Sequence, residues 1–275
     1  MDNMSFEQKA YELEEIWGQG VLGKEDQERV EFISSLVNKD IGSILDVGCG
    51  NGLFINHILK NKSNFQSLSK MSAVDRSKAA LSHIDANIDK IQANIDSLPY
   101  EDNSYDVVTC LEVIEHLPLE VYKKAISEIY RISKSTIIIS VPYKDDIRNS
   151  LVECENCFTR FNANFHMTSF DENTLSKLFS GKKLKLKAIH YIGEVISYPV
   201  WITRIRNLLS PNQFPAYAIC PVCGFNKNDN LQSYVANELD YKKPAFNIKS
   251  IIRYFIPKKT SPRWIVGVYE KNETV

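Results

Sequence analysis

Between residues 43 and 143, short β-branched runs alternate with segments whose apolar residues recur every three to four positions. The runs are "SILDV" (43–47), "MSAVD" (71–75), "KIQAN" (90–94), "YDVVTCL" (105–111) and "STIIISVPY" (135–143). Most are nearly continuous in apolar residues, which predicts a parallel sheet covered on both faces. Between the last two, "LEVYKKAISEIYRIS" (119–133) sets Val121, Ile126, Ile129 and Ile132 along a stripe and predicts a helix. Further on, "DENTLSKLFSG" (171–181) reads as a capped helix ending in glycine. "KLKLKAIHYIG" (183–193) alternates as an edge strand does, and "RWIVGVYEK" (263–271) predicts a last strand. The expected class is α/β, a doubly wound and mostly parallel sheet. The amphipathic opening "MDNMSFEQKAYELEEIW" adds an N-terminal helical cap, residues 1–40.

Composition narrows this picture. A chain of 275 residues with 44% hydrophobic and 24% charged residues can bury one large core and a smaller appendage. It has no apolar run of transmembrane length and no N-terminal signal pattern, so a cytoplasmic location is expected. There, six cysteines are expected to be reduced or metal-bound. The net charge of -1 hides an asymmetry: residues 181–275 hold 15 Lys and Arg against 6 Asp and Glu. That excess reads either as a solvated basic surface or as a region that meets an anionic partner.

The first strand runs into "LDVGCGNG" (45–52), a glycine-rich turn. Such glycines let the backbone approach a ligand closely and set a helix N-terminus beside it. Gly48, Gly50 and Gly52 give G-x-G-x-G with Leu at 53, so the dinucleotide pattern G-x-G-x-x-G is not met. Nor does the Lys-Ser/Thr pair of a P-loop follow. With Asp46 ahead of the glycines, the stretch resembles the first motif, E/D-x-G-x-G-x-G, of the class I S-adenosylmethionine-dependent methyltransferases. Three further places resemble that family in the right order: "AVDRS" with Asp75 and Arg76, "IDSLPYEDNSYDVV" with Asp96, Ser97 and Leu98, and "CLEVIEHLP" (110–118) with Cys110 and Leu111.

The resemblance spans about residues 40–145. It implies a seven-stranded Rossmann-like methyltransferase fold, with residues 41–192 and 263–275 as the core that binds S-adenosylmethionine. It also implies donor contacts from Asp46, Gly48, Cys49, Gly50 and Gly52. Asp75, with Arg76 beside it, would hold the ribose; Asp96, Ser97 and Leu98 would hold the adenine. Cys110 and Leu111 would flank the methionine portion. By residue type alone, Cys49 and Cys110 read as small apolar fillers.

Methyl transfer from a sulfonium needs an aligned acceptor and excluded water. A hydroxyl acceptor must also lose a proton, and His116, just after the fourth predicted strand, is the candidate base. In "LEVIEH", Glu112, Glu115 and His116 stand at i, i+3 and i+4, which puts them on one face if the segment opens a helix. The spacing is similar to the E-x-x-E-H of ubiquinone-pathway O-methyltransferases and small-RNA ribose methyltransferases. That resemblance implies a divalent metal held with a later His, for which His166 in "NFHMTSF" is the candidate. Three readings stay open: a second divalent metal on Glu112, Glu115, His116 and His166, a Glu–His pair orienting a base, and packing. The expected activity is O-methylation of a small-molecule or glycan acceptor by in-line displacement. The alternatives are methylation of RNA or protein, and a donor-binding module without turnover.

Cys154 and Cys157 in "CENC" and Cys220 and Cys223 in "CPVCG" have zinc-ribbon pair spacing, although 62 residues separate the pairs. In the resembled fold, the loop after strand five and the connection from strand six to strand seven leave the same sheet edge. Residues 193–262 replace a short hairpin there, so the pairs are expected to meet over the active face and close one structural zinc site. Free thiols and redox pairs are the alternatives. The insertion 193–262, with Tyr198, Trp201, Phe214 and Tyr217, is expected to be a lid over the acceptor. Its stretches "VISYPVWITRIRNLLS" (195–210) and "FNIKSIIRYFIPKK" (246–259) suit either packing on a neighbouring core or peripheral membrane contact with a lipid-linked acceptor. Aromatic–basic interleaving is not sustained, which argues against nucleic acid as a partner. Oligomeric state is not legible from these features.

Overall fold

The computed structural model describes residues 23–147, 151–197, 218–226 and 259–271, together with Tyr11, Trp17 and Phe214. They fall into two compact units. The larger comprises the described residues of Tyr11–Asp145, His166–Gly193 and Arg263–Val275; the smaller comprises those of Asp146–Phe165 and Glu194–Pro262. The first cysteine pair therefore groups with the insertion and not, as the sequence boundaries imply, with the core.

In chain order the elements are α1 (Lys24–Leu36), β1 (Ser43–Val47), α2 (Leu53–Lys60), β2 (Lys70–Asp75), α3 (Lys78–Ser82), β3 (Asp89–Gln92) and β4 (Tyr105–Leu111). There follow α4 (Leu119–Ile132), β5 (Ser133–Pro142), β6 (Leu151–Glu153), β7 (Arg160–Asn162), α5 (Glu172–Lys177), β8 (Leu184–Ser197) and β9 (Lys259–Lys271). The main sheet has seven strands in the order β3-β2-β1-β4-β5-β9-β8. Strands β3, β2, β1, β4 and β5 pair in parallel, and β9 lies antiparallel on β5 with Ile139 opposite Gly267.

Period-two alternation explains why the strands read as continuously apolar. Leu45, Val47, Val108, Ile137 and Ile139 pack on one face with Ile126, Ile129 and Ile132 of α4. Ile44, Val107 and Ile138 pack on the other with Val30 and Ile33 of α1 and Phe54, Ile55 and Ile58 of α2. Both faces are dry, so neither strand face needs polar residues. Each buried Ile contributes roughly 1.5–3 kcal/mol of transfer free energy.

Several boundaries differ from the sequence reading, among them β8, which runs on to Ser197, and β9, which starts at Lys259. Helix α4 passes directly into β5 at Ser133, so that strand starts two residues early. The predicted helix 171–181 is shorter, Glu172–Lys177; Asp171 and Thr174 close a reciprocal capping box at its start. At its end the chain turns through Gly181 at φ +81°.

The smaller unit contains the hairpin β6–β7, with Val152 opposite Phe161. Among the described residues its apolar cluster is Val152, Cys154, Phe161, Ala163, Phe214, Ala218 and Cys220. Tyr198, Trp201, Tyr217 and most of the two apolar-basic stretches lie outside the described residues. Among the described residues, no helix is long and apolar enough to cross a membrane.

Candidate active site

The carboxyl ends of the parallel strands carry the chemistry-bearing residues, where open α/β sheets bind ligands. After β1 the backbone turns sharply, with Gly48 N–H and Cys49 N–H both donating to Val74 C=O at 2.8 and 3.1 Å. Gly48, Gly50 and Gly52 have φ of +69°, +52° and +78°, the left-handed region that favours glycine. Space demands glycine as well. A Cβ on Gly48 would lie 2.5 Å from Val113 Cγ2, and one on Gly50 would lie 2.9 Å from Trp17 Cζ3.

Asp75, at the end of β2, holds this turn in place. Its Oδ2 accepts from Gly50 N–H at 2.9 Å and its Oδ1 from Ser77 N–H at 2.8 Å. Burial raises its pKa, and these bonds oppose that rise. Asp46 is buried in β1 and accepts from Thr109 Oγ1 at 2.7 Å. Burial pushes its pKa up to about 7, with Asp75 adding to the rise. Cys49 and Cys110 are buried, which raises both thiols. Arg76 lies over the ring of Tyr11, 5.0 Å from its centroid. After β3, Asp96 is half-buried with Lys124 Nζ at 3.9 Å, Ser97 N–H donates to Asn94 C=O, and the buried Leu98 donates its N–H to Glu128 Oε2 at 2.8 Å. Leu111 ends β4, half-buried.

The segment after β4 does not open a helix. Glu112 has φ +57°, residues Ile114–His116 form a single 3₁₀ turn, and α4 starts only at Leu119. The reason is local. Glu112 N–H donates to Ser140 C=O, and its side chain is held by Ser140 Oγ (3.0 Å) and Trp264 Nε1 (2.7 Å). Arg29 Nη1 of α1 approaches it to 3.6 Å. Glu112 therefore does not share a helical face with Glu115 and His116. Burial raises its pKa, against the pull of Arg29 and the two hydrogen bonds.

Glu115, His116 and His166 do come together, with potential ligand atoms within 4.8 Å of one another. The backbone carbonyl of Glu115 accepts from Met167 and Thr168 N–H, which ties the His166 segment to the 3₁₀ turn. The two imidazoles meet edge to face at 4.8 Å, and His166 Nδ1 lies 2.8 Å from Asp145 Oδ2. Glu115 is 1% exposed and, among the described residues, neither carboxylate oxygen has a hydrogen-bond partner. Burial, and then the negative charge of Glu112, raise its pKa well above the ordinary range.

In the smaller unit Cys154, Cys157, Cys220 and Cys223 form one cluster, their sulfurs within 4.8 Å of one another. Cys154 Sγ lies 3.6 Å from Cys223 Sγ, and Cys157 Sγ lies 3.5 Å from Cys220 Sγ. A bond to Thr159 pulls Cys157 down to about 6, while burial pushes Cys220 up to about 12.

Residues 45–139 match the family described as a methyltransferase domain. The Methanocaldococcus jannaschii protein MJ0638 is 31% identical over 182 residues, 66% of this chain and 73% of that one. The chain belongs to the class I S-adenosylmethionine-dependent methyltransferases. The ubiquinone biosynthesis O-methyltransferase of Rickettsia typhi is 34% identical over 104 residues, 36% of this chain and 42% of that protein's length. Two solved structures share the fold: a chain of the Haloferax volcanii complex containing the Trm112 methyltransferase activator (TM-score 0.56, 16% identity, 99% of this chain and 100% of that one), and YcgJ from Bacillus subtilis (TM-score 0.51, 14% identity, 90% and 100%).

The residues present fit the donor of a class I methyltransferase. The turn sets three glycines of left-handed φ next to a helix N-terminus and the half-buried carboxylate of Asp75. Nothing in the sequence singles out Arg29, Ser140 and Trp264, which lock Glu112, or Asp145, which pairs with His166. The first three lie far apart in the chain and meet only through the sheet. Asp145 stands in the polar "YKDD" that follows β5, an ordinary loop composition with no distinguishing signal.

Proposed function

We propose that this methyltransferase transfers a methyl group in line to a hydroxyl of a small-molecule or glycan acceptor. The observation that carries the reading is the cluster of Glu115, His116 and His166 just past the end of β4. An oxygen acceptor needs proton removal, and this is a set of groups able to do it. The match to ubiquinone biosynthesis O-methyltransferases supports a small acceptor. The basic balance of residues 181–275 suits one with an anionic part.

When bound, S-adenosylmethionine supplies a methyl carbon already activated on a sulfonium. The chain's own groups then align the partners and keep water out. Gly48, Gly50 and Gly52 with Asp46 hold the donor's amino-acid end, Asp75 the ribose hydroxyls, and Asp96 the adenine. His116 takes the acceptor proton. Glu115 Oε1, 3.8 Å from His116 Nε2, compensates the charge that results.

A second reading is favoured by the burial of Glu115, whose oxygens have His116 Nε2 at 3.8 Å but accept no hydrogen bond among the described residues, a costly state for a carboxyl. One carboxylate and two imidazoles suit Zn²⁺, Mn²⁺ or Fe²⁺ better than Mg²⁺. Such an ion, when bound, lowers the acceptor hydroxyl's pKa. In this reading Glu112 positions the turn and is not a ligand. For the four-cysteine cluster we propose structural zinc. A tetrahedron with Zn–S of about 2.3 Å has S–S edges of roughly 3.8 Å, close to the observed 3.5 and 3.6 Å.

The test is a screen of acceptor pools with radiolabelled methyl donor. Label in a hydroxylated small molecule or glycan, lost in His116→Ala, is expected. Label in RNA or protein would replace the acceptor class. Donor binding without label in any pool would leave a module without turnover.

A further inference from the structure

We infer that Asp145 is a positioning residue: it holds His166 as the Nδ1–H tautomer and so gives the Nε2 lone pair to the cluster with Glu115 and His116. The inference rests on reading that cluster as the place where the acceptor's proton is handled. Asp145 Oδ2 lies 2.8 Å from His166 Nδ1. A carboxylate only accepts, so His166 Nδ1 is the donor, and a neutral imidazole then carries its lone pair on Nε2. The potential ligand atoms of Glu115, His116 and His166 lie within 4.8 Å of one another. With Nδ1 held by Asp145, Nε2 is the His166 atom that serves this cluster. Its lone pair suits both uses of the cluster, accepting a proton or binding a metal ion.

No regular element carries His166. It falls between β7, which ends at Asn162, and α5, which begins at Glu172, and Phe165 just before it has φ +59°. The larger unit breaks off at Asp145 and resumes at His166, so their hydrogen bond joins the two ends of the excursion through residues 146–165. The backbone fixes each partner separately. Lys144 N–H, beside Asp145, donates to Phe170 C=O at 2.8 Å, and Tyr143 forms a β-bridge with Phe170. Met167 and Thr168 N–H donate to Glu115 C=O at 2.7 and 3.2 Å. The neighbouring ammonium of Lys144 is directed to Tyr143 Oη at 2.6 Å and Glu172 Oε2 at 3.3 Å, and not to Asp145. Those backbone bonds bring the imidazole to His116 but do not choose which ring nitrogen holds the proton. The Asp145 carboxylate does.

Imidazole ¹⁵N NMR of the ligand-free protein at pH 8 decides the matter, with His166→Gln to assign the signal among the five histidines. Wild type should show His166 as the Nδ1–H tautomer, with the downfield Nδ1 proton of a bond to a carboxylate. Asp145→Ala should lose that proton signal and populate Nε2–H. Asp145→Asn, of the same size but uncharged, should move the signal upfield or lose it, because charge-assisted hydrogen bonds are the stronger ones. It decides alone should Asp145→Ala fail to fold. In the acceptor pool that the wild type labels, kcat of Asp145→Ala should fall about 10–100-fold, the cost of removing the outer partner of a histidine. The KM for S-adenosylmethionine should hardly change. An Nε2–H tautomer or an imidazolium at His166 in the wild type overturns the inference. So does an Nδ1–H signal that both variants keep unchanged, which would mean that another group sets the tautomer. A lost signal with unchanged kcat overturns it too, leaving the pair a structural tie. A wild type that labels no pool overturns the acceptor reading instead, while the spectra still decide whether Asp145 sets the tautomer, so the two failures are distinguishable.

Discussion

Cys157 Sγ and Cys220 Sγ lie 3.5 Å apart although 62 residues separate them in the chain. The two cysteine turns have the same hydrogen-bond pattern. Cys154 N–H donates to Thr159 C=O and Cys220 N–H to Phe225 C=O, both at 2.9 Å. Phe158 N–H returns to Cys154 C=O and Gly224 N–H to Cys220 C=O, at 3.0 and 2.9 Å. Phe158 and Gly224 both have positive φ. Two equivalent knuckles, each contributing two sulfurs, make the arrangement expected of one tetrahedral metal site.

Purified without chelator, the protein should carry one zinc at this cluster, by elemental analysis. Because thiolate ligation would join the two cysteine turns, metal loss should be coupled to unfolding of the smaller unit. Cys220→Ser should lose that zinc and the protease resistance of residues 151–165 together. A zinc-free protein with the same proteolysis pattern would leave these groups as thiols.

Asp75→Ala should weaken S-adenosylhomocysteine binding by about 1.5–3 kcal/mol, the scale of charge-assisted hydrogen bonds. The effect has two sources: loss of the proposed ribose contact, and release of Gly50 N–H and Ser77 N–H from their shared acceptor. Asp75→Asn, which keeps one acceptor oxygen, should lose less. Calorimetry giving equal affinity for all three proteins would remove Asp75 from the donor site.

The two readings of Glu115, His116 and His166 differ in metal count. If the cluster holds an ion, wild type carries two metals per chain, and Glu115→Gln carries one with the cysteine site intact. Turnover should then vanish on chelation and return with Mn²⁺, Fe²⁺ or Zn²⁺. A fully active wild type with one metal per chain would leave His116 as the base. Its removal would then abolish the acidic limb of the pH–rate profile.

The strands were legible because their chemistry is local. β1 and β4 fall at the boundaries that their apolar runs predict, since a strand dry on both faces has little but apolar residues to show. The glycine turn was legible for the same reason: its residues are consecutive. Glu112 was not. Its i, i+3 relation to Glu115 is equally compatible with a helix and with a turn. The choice was made by Ser140, Trp264 and Arg29, from β5, β9 and α1. Likewise Asp145 becomes partner to His166 only once β5 and the segment before α5 are brought side by side.

Asp46 gives a prediction whose sign can be worked out. Burial raises its pKa from 3.8 to about 7 in the folded protein. Between those values the native state binds more protons than the unfolded chain, so stability falls as pH rises through that window. One such group changes stability by at most about 1.36 kcal/mol per pH unit. Asp75, Glu112 and Glu115 are raised too and act in the same direction, so the wild-type profile alone cannot isolate Asp46. Asp46→Asn can, because an amide oxygen still accepts from Thr109 Oγ1 but does not ionise. In urea unfolding of the ligand-free proteins, the stability of the Asn variant relative to wild type should be greater at pH 8 than at pH 5 by about 1–3 kcal/mol. The variant should nevertheless bind donor less well, because the charge that destabilises the empty fold is the one proposed to face the donor's amino group. Equal stability differences at both pH values would mean that Asp46 does not titrate in this window.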